Sequence, residues 1–194
     1  LLVLVGLYVR LRITETPSFQ KTLDRNERVD VPLMVVFRDH GGALLRGTLI
    51  ALTAFVIFYL MTVFALSWGT SALGYSREQF LQLQMIGVVF FAITIPLSAL
   101  LADRFGRRPT LITTSLLVVL FGFAFEPLFS AGDALSCLIF LSLGLALMGL
   151  TYGPLGTILS EMFPTAVRYT GSSIAFNLAG IFGASLAPYA ATWL

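Results

Sequence analysis

Long uncharged runs alternate with short charged segments along the chain. Runs without Asp, Glu, Lys or Arg cover residues 47–76, 79–102, 109–125, 134–160 and 169–194. Each run is close to or longer than the ~18–20 residues that cross a bilayer as a helix. Helices are expected because the bilayer interior offers the backbone no water as a hydrogen-bond partner. The pattern predicts an all-α, polytopic transmembrane helical bundle with five spans, at roughly 47–69, 79–102, 110–129, 134–157 and 170–192.

The region before the first of these spans has a different character. Residues 1–9 are apolar, and we expect them to be the end of a preceding transmembrane helix. The segment 10–46 holds seven cations and five acids, with prolines at 17 and 32 that are typical of helix starts. We expect it to be a linker whose amphipathic helices lie along the membrane surface. His40, the single histidine, is interpreted as an interfacial residue there rather than a catalytic one.

Composition and charge support a membrane protein and give it an orientation. Hydrophobic residues make up 57% of the chain and charged residues 11%, against about 25% charged in a typical soluble domain. The segments 10–46, 103–108 and 161–168 carry 7, 3 and 1 Lys or Arg, whereas 70–78 and 126–133 carry only Arg77. Because cations accumulate in cytoplasmic loops, the first three segments are predicted to be cytoplasmic.

The stretch "LADRFGRRPT" (101–110) places four charges between two uncharged runs. Its arginines alone are explained by anchoring at the anionic membrane surface. Asp103 is not, because an acid where a helix leaves the bilayer costs desolvation. Gly106 indicates a sharp turn. If the second and fifth spans pack together, we expect ion pairs with the next cytoplasmic turn, between Asp103 and Arg168, and between Glu161 and either Arg104 or Arg108.

Such ion pairs would join helix ends and act as a conformational latch. A single exposed pair contributes only ~0–1 kcal/mol, so no one pair would lock a state. Several pairs together, partly shielded, would bias the equilibrium by a few kcal/mol, which is enough to shift populations substantially.

The motif "LLADRFGRRP", residues 100–109, resembles the signature loop of the major facilitator superfamily, G-x-L-a-D-r-x-G-r-[RK]. It departs at the first position, where Ser98 or Ala99 replaces Gly. In that superfamily the loop joins the second and third helices of each six-helix half. The five spans would then be helices 7–11. "ETPSF" (15–19) and the segment 152–194 resemble a narrower group, the metabolite:proton symporters, which includes shikimate, alpha-ketoglutarate, citrate and proline/betaine transporters.

The resemblance implies the C-terminal half of a secondary active transporter that moves a small polar metabolite, such as an organic acid or a betaine, by proton-coupled alternating access. Its partners would be the small-molecule substrate, a proton, the lipid bilayer and the N-terminal half of the same transporter, with no nucleic acid, metal or other cofactor. The latch would hold the outward-open state. The residues to which the resemblance gives this role are Asp103, Arg104, Gly106, Arg107, Arg108, Glu161 and Arg168.

In such folds the substrate lies near the membrane midplane, between the two halves. The leading candidates for substrate contact are polar or aromatic residues of the spans: Phe55, Tyr59, Thr62, Tyr152 and Asn177. Packing, or a bond from a hydroxyl to the i−4 carbonyl, is the competing explanation for most of them. Asn177 is the strongest, because a buried amide needs partners. The second span adds Gln82, Gln84 and Thr94. The spans lining the pathway carry no mid-span charge, so a proton carrier is expected in the other half.

Alternative functions remain open at this stage. A facilitative sugar-type carrier, or a non-transporting receptor or scaffold of the same fold, would show the same pattern of spans. An intramembrane enzyme is disfavoured, because the chain has one His, one Cys and no two acids within one span. We therefore expect no enzymatic activity.

Overall fold

The computed structural model describes residues 5–8, 31–130 and 132–193, apart from the side chain of Thr192. These residues contain helices and no strand, which confirms the predicted all-α bundle, and residues 5–8 are helical. The predictions for Pro17 and for "ETPSF" lie outside the described residues. The longer helices are α1 (Pro32–Asp39), α2 (Gly41–Ser71), α3 (Arg77–Phe105), α4 (Arg107–Gly122), α5 (Ala134–Glu161) and α6 (Arg168–Trp193).

Local sequence signals set the starts of three helices. Pro32 is the first residue of α1. Ser76 and Gln79 form a capping box before α3, in which the Ser76 hydroxyl accepts from the Gln79 amide at 3.2 Å and the Gln79 side chain accepts from the Ser76 amide at 3.1 Å. Asp133 accepts from the Ser136 amide at 2.9 Å at the start of α5, and this hydrogen bond lowers the pKa of the Asp133 carboxyl. These caps confirm the predicted helix starts.

Four helices are long and apolar enough to cross a membrane: α2, α3, α5 and α6. The stretch predicted as a span at 110–129 is helical in two pieces, α4 and a π-helical turn at Phe125–Phe129. Pro127 explains this irregularity, because proline has no amide hydrogen to donate and disfavours helical geometry in the preceding residue. α4 alone has 16 residues, which corresponds to about 24 Å of helix.

The helices pack mainly as two pairs, α3 with α5 and α2 with α6, and α4 lies against both α3 and α5. The inner core, which includes Val36, Phe163 and Ala175, lies where α1 and the first part of α2 meet the end of α5 and the start of α6. The outer core, which includes Phe80, Cys137 and Phe140, lies where the second part of α2 and the start of α3 meet the start of α5. Cys137 is a buried free cysteine of the outer core.

Small residues let the helices of each pair approach closely. Gly149 and Gly153 of α5 face α3, where an added Cβ would overlap the side chains of Thr94 and Ser98 respectively. The two hydroxyls also bond across the interface, from Thr94 to the carbonyl of Ala146 at 2.9 Å and from Ser98 to the carbonyl of Gly149 at 3.3 Å. Such contacts are typical of helix association in membranes.

Glycines also mark two segments of the last two spans. Gly183, in "GIFGA" (180–184), packs against Phe55 of α2, where its lack of a side chain permits the close approach. In "YGPLG" (152–156) the helical pattern of α5 is interrupted at residues 153–154, as its Gly-Pro pair predicts.

Candidate functional site

Gly106 forms the sharp turn between α3 and α4. Its φ of +91° lies in the region that glycine adopts readily and other residues avoid, so the prediction of a sharp turn here is confirmed. Because this single residue separates the two helices, it also fixes which side chains of the first turn of α4 face the rest of the bundle. The signature loop, residues 100–109, is thereby held in one defined geometry.

Arg107 forms an ion pair with Glu161, which joins the first residue of α4 to the last residue of α5. The loops at 103–108 and 161–168 therefore meet at one end of the bundle, here called the inner end. The predicted partners of Glu161, Arg104 and Arg108, are replaced by Arg107. Successive helical residues point about 100° apart, so Arg108 cannot share the direction of Arg107, while the guanidinium of Arg104 lies 5.4 Å from the ring centre of Phe105.

The predicted pair between Asp103 and Arg168 is not formed in this conformation. Asp103 is exposed, and it has no ion pair within the described part of the chain. The Arg168 Nε donates instead to the carbonyl oxygen of Phe163 at 3.4 Å, a contact within its own turn. Arg168 is thus held by the backbone that precedes α6, and the carboxylate of Asp103 is left exposed.

The opposite end of the bundle brings its own loops together. The hydroxyl of Tyr75, just before α3, donates to the carbonyl oxygen of Gly132, just before α5, at 2.8 Å. The loops at 70–78 and 126–133, which carry few cations, therefore lie at the same end of the bundle. This is expected if successive spans cross the membrane in opposite directions. This end is called the outer end.

The five candidate substrate residues are not brought together in the two cavities that lie between α2 and α3 and between α2, α4 and α5 of the described chain. Phe55 is half-buried on α2, and its ring centre lies 4.8 Å from that of Phe176 on α6 in an edge-to-face arrangement. Tyr59 is half-buried, and its ring centre lies 5.1 Å from that of Phe58 in an edge-to-face arrangement. Tyr152 is exposed, with its ring 6.2 Å from that of Phe91. Phe55 and Tyr59 thus have packing roles that account for their positions, while Tyr152 keeps an exposed face.

Asn177 and Thr62 both use local backbone bonds. Asn177 was expected to be a buried amide but is exposed, and its Nδ2 donates to the carbonyl of Ser173 one turn earlier at 2.8 Å. The Thr62 hydroxyl donates to the carbonyl of Phe58 at 2.6 Å, as membrane hydroxyls often do. Thr62 also lines a cavity of about 760 Å³ between α2 and α3, called the outer cavity, which the other four candidates do not line.

Gln84 is the polar side chain whose importance sequence reasoning underestimated. α2 contains a π-helical turn at Leu60–Phe64, which changes the helical pairing pattern and leaves backbone carbonyls in need of other donors. The Nε2 of Gln84 donates to the carbonyls of Met61 at 2.8 Å and Thr62 at 3.0 Å, and the side chain is buried. The signal in the sequence was an amide within an uncharged run, where it must find a partner.

No described residues form a metal site: no group of three or more His, Cys, Asp or Glu is placed to hold an ion. The polar contacts of the described bundle include the Arg107–Glu161 ion pair, the Tyr75–Gly132 hydrogen bond, and the hydroxyl and amide groups that join its helices.

The sequence profile of the Major Facilitator Superfamily matches residues 1–188. The chain therefore belongs to this superfamily of membrane proteins. The signature loop, the multi-pass helical bundle and the profile agree, so the resemblance proposed from the sequence is confirmed.

Three relatives show which members the chain is similar to. The inner membrane metabolite transport protein YhjE of Escherichia coli (strain K12) is 44% identical over 100% of this chain and 45% of that protein. The shikimate transporter of the same strain is 32% identical over 100% of the chain and 45% of that protein. The proline/betaine transporter of Salmonella typhimurium is 30% identical over 98% of the chain and 40% of that protein. The chain spans less than half the length of these relatives, and no solved structure gives a significant match.

Proposed function

We propose that the chain is the C-terminal half of a secondary active transporter that moves a small polar metabolite, such as an organic acid or a betaine, across the inner membrane. The observation that carries the proposal is similarity along essentially the whole chain to proteins named for metabolite, shikimate and proline/betaine transport. The proposed activity is transport rather than catalysis, because these relatives are named transporters.

Alternating access would depend on the charged residues at the inner end. The proposed latch comprises Asp103, Arg104, Gly106, Arg107, Arg108, Glu161 and Arg168. In this conformation the Arg107–Glu161 pair ties α4 to α5. We propose that Asp103 and Arg168 pair in a different conformation, so that transport exchanges one set of contacts for another. Pairs this exposed contribute ~0–1 kcal/mol each, so their exchange would leave both states accessible.

The proposed coupling ion is the proton, and its carrier would lie in the N-terminal half. Coupling needs a titratable group along the pathway. The uncharged runs at 47–76, 79–102, 134–160 and 169–194 leave α2, α3, α5 and α6 without a mid-span acid or cation. The C-terminal half would then supply part of the substrate site and the latch, while the other half binds the proton and any negative charge of the substrate.

Uptake measurements on the complete transporter that carries this chain test the proposal. Cells expressing it would be given labelled shikimate, proline, glycine betaine or alpha-ketoglutarate, with and without a protonophore. We expect uptake of at least one of these compounds and its loss when the proton gradient collapses. Uptake that survives the protonophore would favour the facilitative carrier, and binding without uptake would favour a receptor or scaffold.

A further inference from the structure

A second cavity, of about 1020 Å³, lies between α2, α4 and α5 and reaches the inner end. Its rim carries Arg46, Arg107, Arg108 and Glu161. Below the rim its walls are mainly aliphatic, and they include Leu49, Leu111, Ile112, Leu116, Val119 and Ile158. We call it the inner cavity. One end of the cavity is cationic and the rest is apolar. The cavity is therefore complementary to a phospholipid, which has an anionic headgroup and apolar acyl chains.

The described residues do not balance the charge at the rim. Three arginines and one glutamate give it a formal charge of +2, and Glu161 is already paired with Arg107. The Nε of Arg46 donates to the carbonyl of Gly42 at 3.0 Å, a contact within its own helix. Within the described residues neither Arg46 nor Arg108 has a carboxylate partner. Two exposed guanidinium groups therefore face the mouth of one cavity without an anion.

The apolar part of the cavity has the dimensions of an acyl chain. Along α4 its wall extends from Arg107 to Val119, a rise of about 18 Å for a helix. Leu116 and Val119 are 59% and 63% exposed, so the described helices leave this wall uncovered. A small anion such as free phosphate would use the rim and leave this wall empty.

We propose that the inner cavity binds an anionic phospholipid of the cytoplasmic leaflet. Its phosphate would lie between Arg46 and Arg108, where guanidinium groups bind phosphate oxygens well, and one acyl chain would follow α4. Basic pockets between transmembrane helices on this side of the membrane are suited to such headgroups. The lipid would join α2 to α4 beside the Arg107–Glu161 pair. The inference concerns lipid binding and does not depend on which metabolite is transported.

Lipid titration followed by native mass spectrometry tests the proposal on the complete membrane protein that carries this chain. Phosphatidylglycerol and phosphatidylcholine would be the probes. We expect the protein to bind phosphatidylglycerol, seen as a mass adduct, more tightly than phosphatidylcholine. Arg46→Gln and Arg108→Gln should each weaken phosphatidylglycerol binding by about fivefold, the effect of one cation near the headgroups. Arg46→Lys keeps the charge and should bind close to wild type.

Arg38→Gln is the matched control. Arg38 is a cation of the same predicted membrane side, is exposed next to Asp39, and does not line the cavity, so its loss should leave binding unchanged. Equal losses in Arg38→Gln and Arg46→Gln would indicate diffuse surface attraction and overturn the proposal. Equal losses of lipid binding in Arg46→Lys and Arg46→Gln, or equal binding of the two lipids, would also overturn it. The proposal fails as well if inorganic phosphate displaces the lipid, or if no adduct forms because another helix fills the cavity.

Discussion

The side-chain amide of Gln84 donates to the carbonyl oxygen of Met61 at 2.8 Å and so joins α3 to the π-helical turn of α2. The same nitrogen bonds to the carbonyl of Thr62. One buried side chain of the second span therefore satisfies the backbone of the first span at the point where its helical pattern changes. The contact stabilises the irregular part of α2, because the interior of a membrane offers few other hydrogen-bond donors.

The first prediction concerns this contact. Gln84→Leu should lower the free energy of unfolding by about 1–3 kcal/mol, because two carbonyl groups lose their buried donor. Thermal unfolding of the detergent-solubilised protein measures the change. Gln82→Leu is the matched control, since Gln82 lies on the same helix but is exposed. Equal shifts in the two variants would mean that Gln84 does not support the π-helical turn.

The second prediction concerns the Arg107–Glu161 pair. Glu161→Gln should reduce uptake while changing the free energy of unfolding by less than about 1 kcal/mol, because the two side chains are 36% and 53% exposed. The charge-swapped variant with Arg107→Glu and Glu161→Arg should recover part of the uptake. Asp39→Asn serves as the control, since it removes another exposed pair away from the signature loop. Full uptake by Glu161→Gln would remove the pair from the latch.

The third prediction concerns the exchange of partners by Asp103. Asp103→Asn should greatly reduce uptake without reducing the amount of protein in the membrane, because the acid is unpaired here and its proposed partner belongs to another state. Uptake and membrane abundance would be measured on the same cells. Exchanging the charges of Asp103 and Arg168 should partly restore uptake. If the exchange restores nothing while each variant is well inserted, the two residues do not pair directly.

The fourth prediction concerns the contact of α5 with α3. Gly149→Ala places a Cβ against the Thr94 side chain and 2.7 Å from the carbonyl oxygen of Phe91. The overpacking should cost about 1–3 kcal/mol of stability, measured by thermal unfolding. Gly156→Ala, on the same span, meets nothing within 4 Å and should be neutral or slightly stabilising. A Gly149 variant as stable as the Gly156 variant would contradict the close packing of this pair.

The sequence was sufficient where short-range chemistry decides the structure. The uncharged runs predicted the helices, and the caps at Ser76 and Asp133 are local in the same way, because each depends on residues three positions apart. The turn at Gly106 followed from the same kind of local argument.

The sequence was insufficient where geometry depends on the phase of a helix or on distant contacts. Arg107 rather than Arg104 or Arg108 meets Glu161, because the turn at Gly106 sets the direction of each side chain on α4. The π-helical turn at Leu60–Phe64 has no compositional mark. Asn177 was expected to be buried from its place in an apolar run, but polarity alone does not indicate which face of α6 lies against α2.

The inner core and the outer core have no buried residue in common. Each end of the bundle is thus sealed by its own set of side chains, although α2 and α5 run through both. A substitution that loosens the packing at one end leaves the other set of contacts in place. Under the proposed transport cycle, substitutions at one end would alter how readily the protein opens toward one compartment without altering the residues that pack the other end.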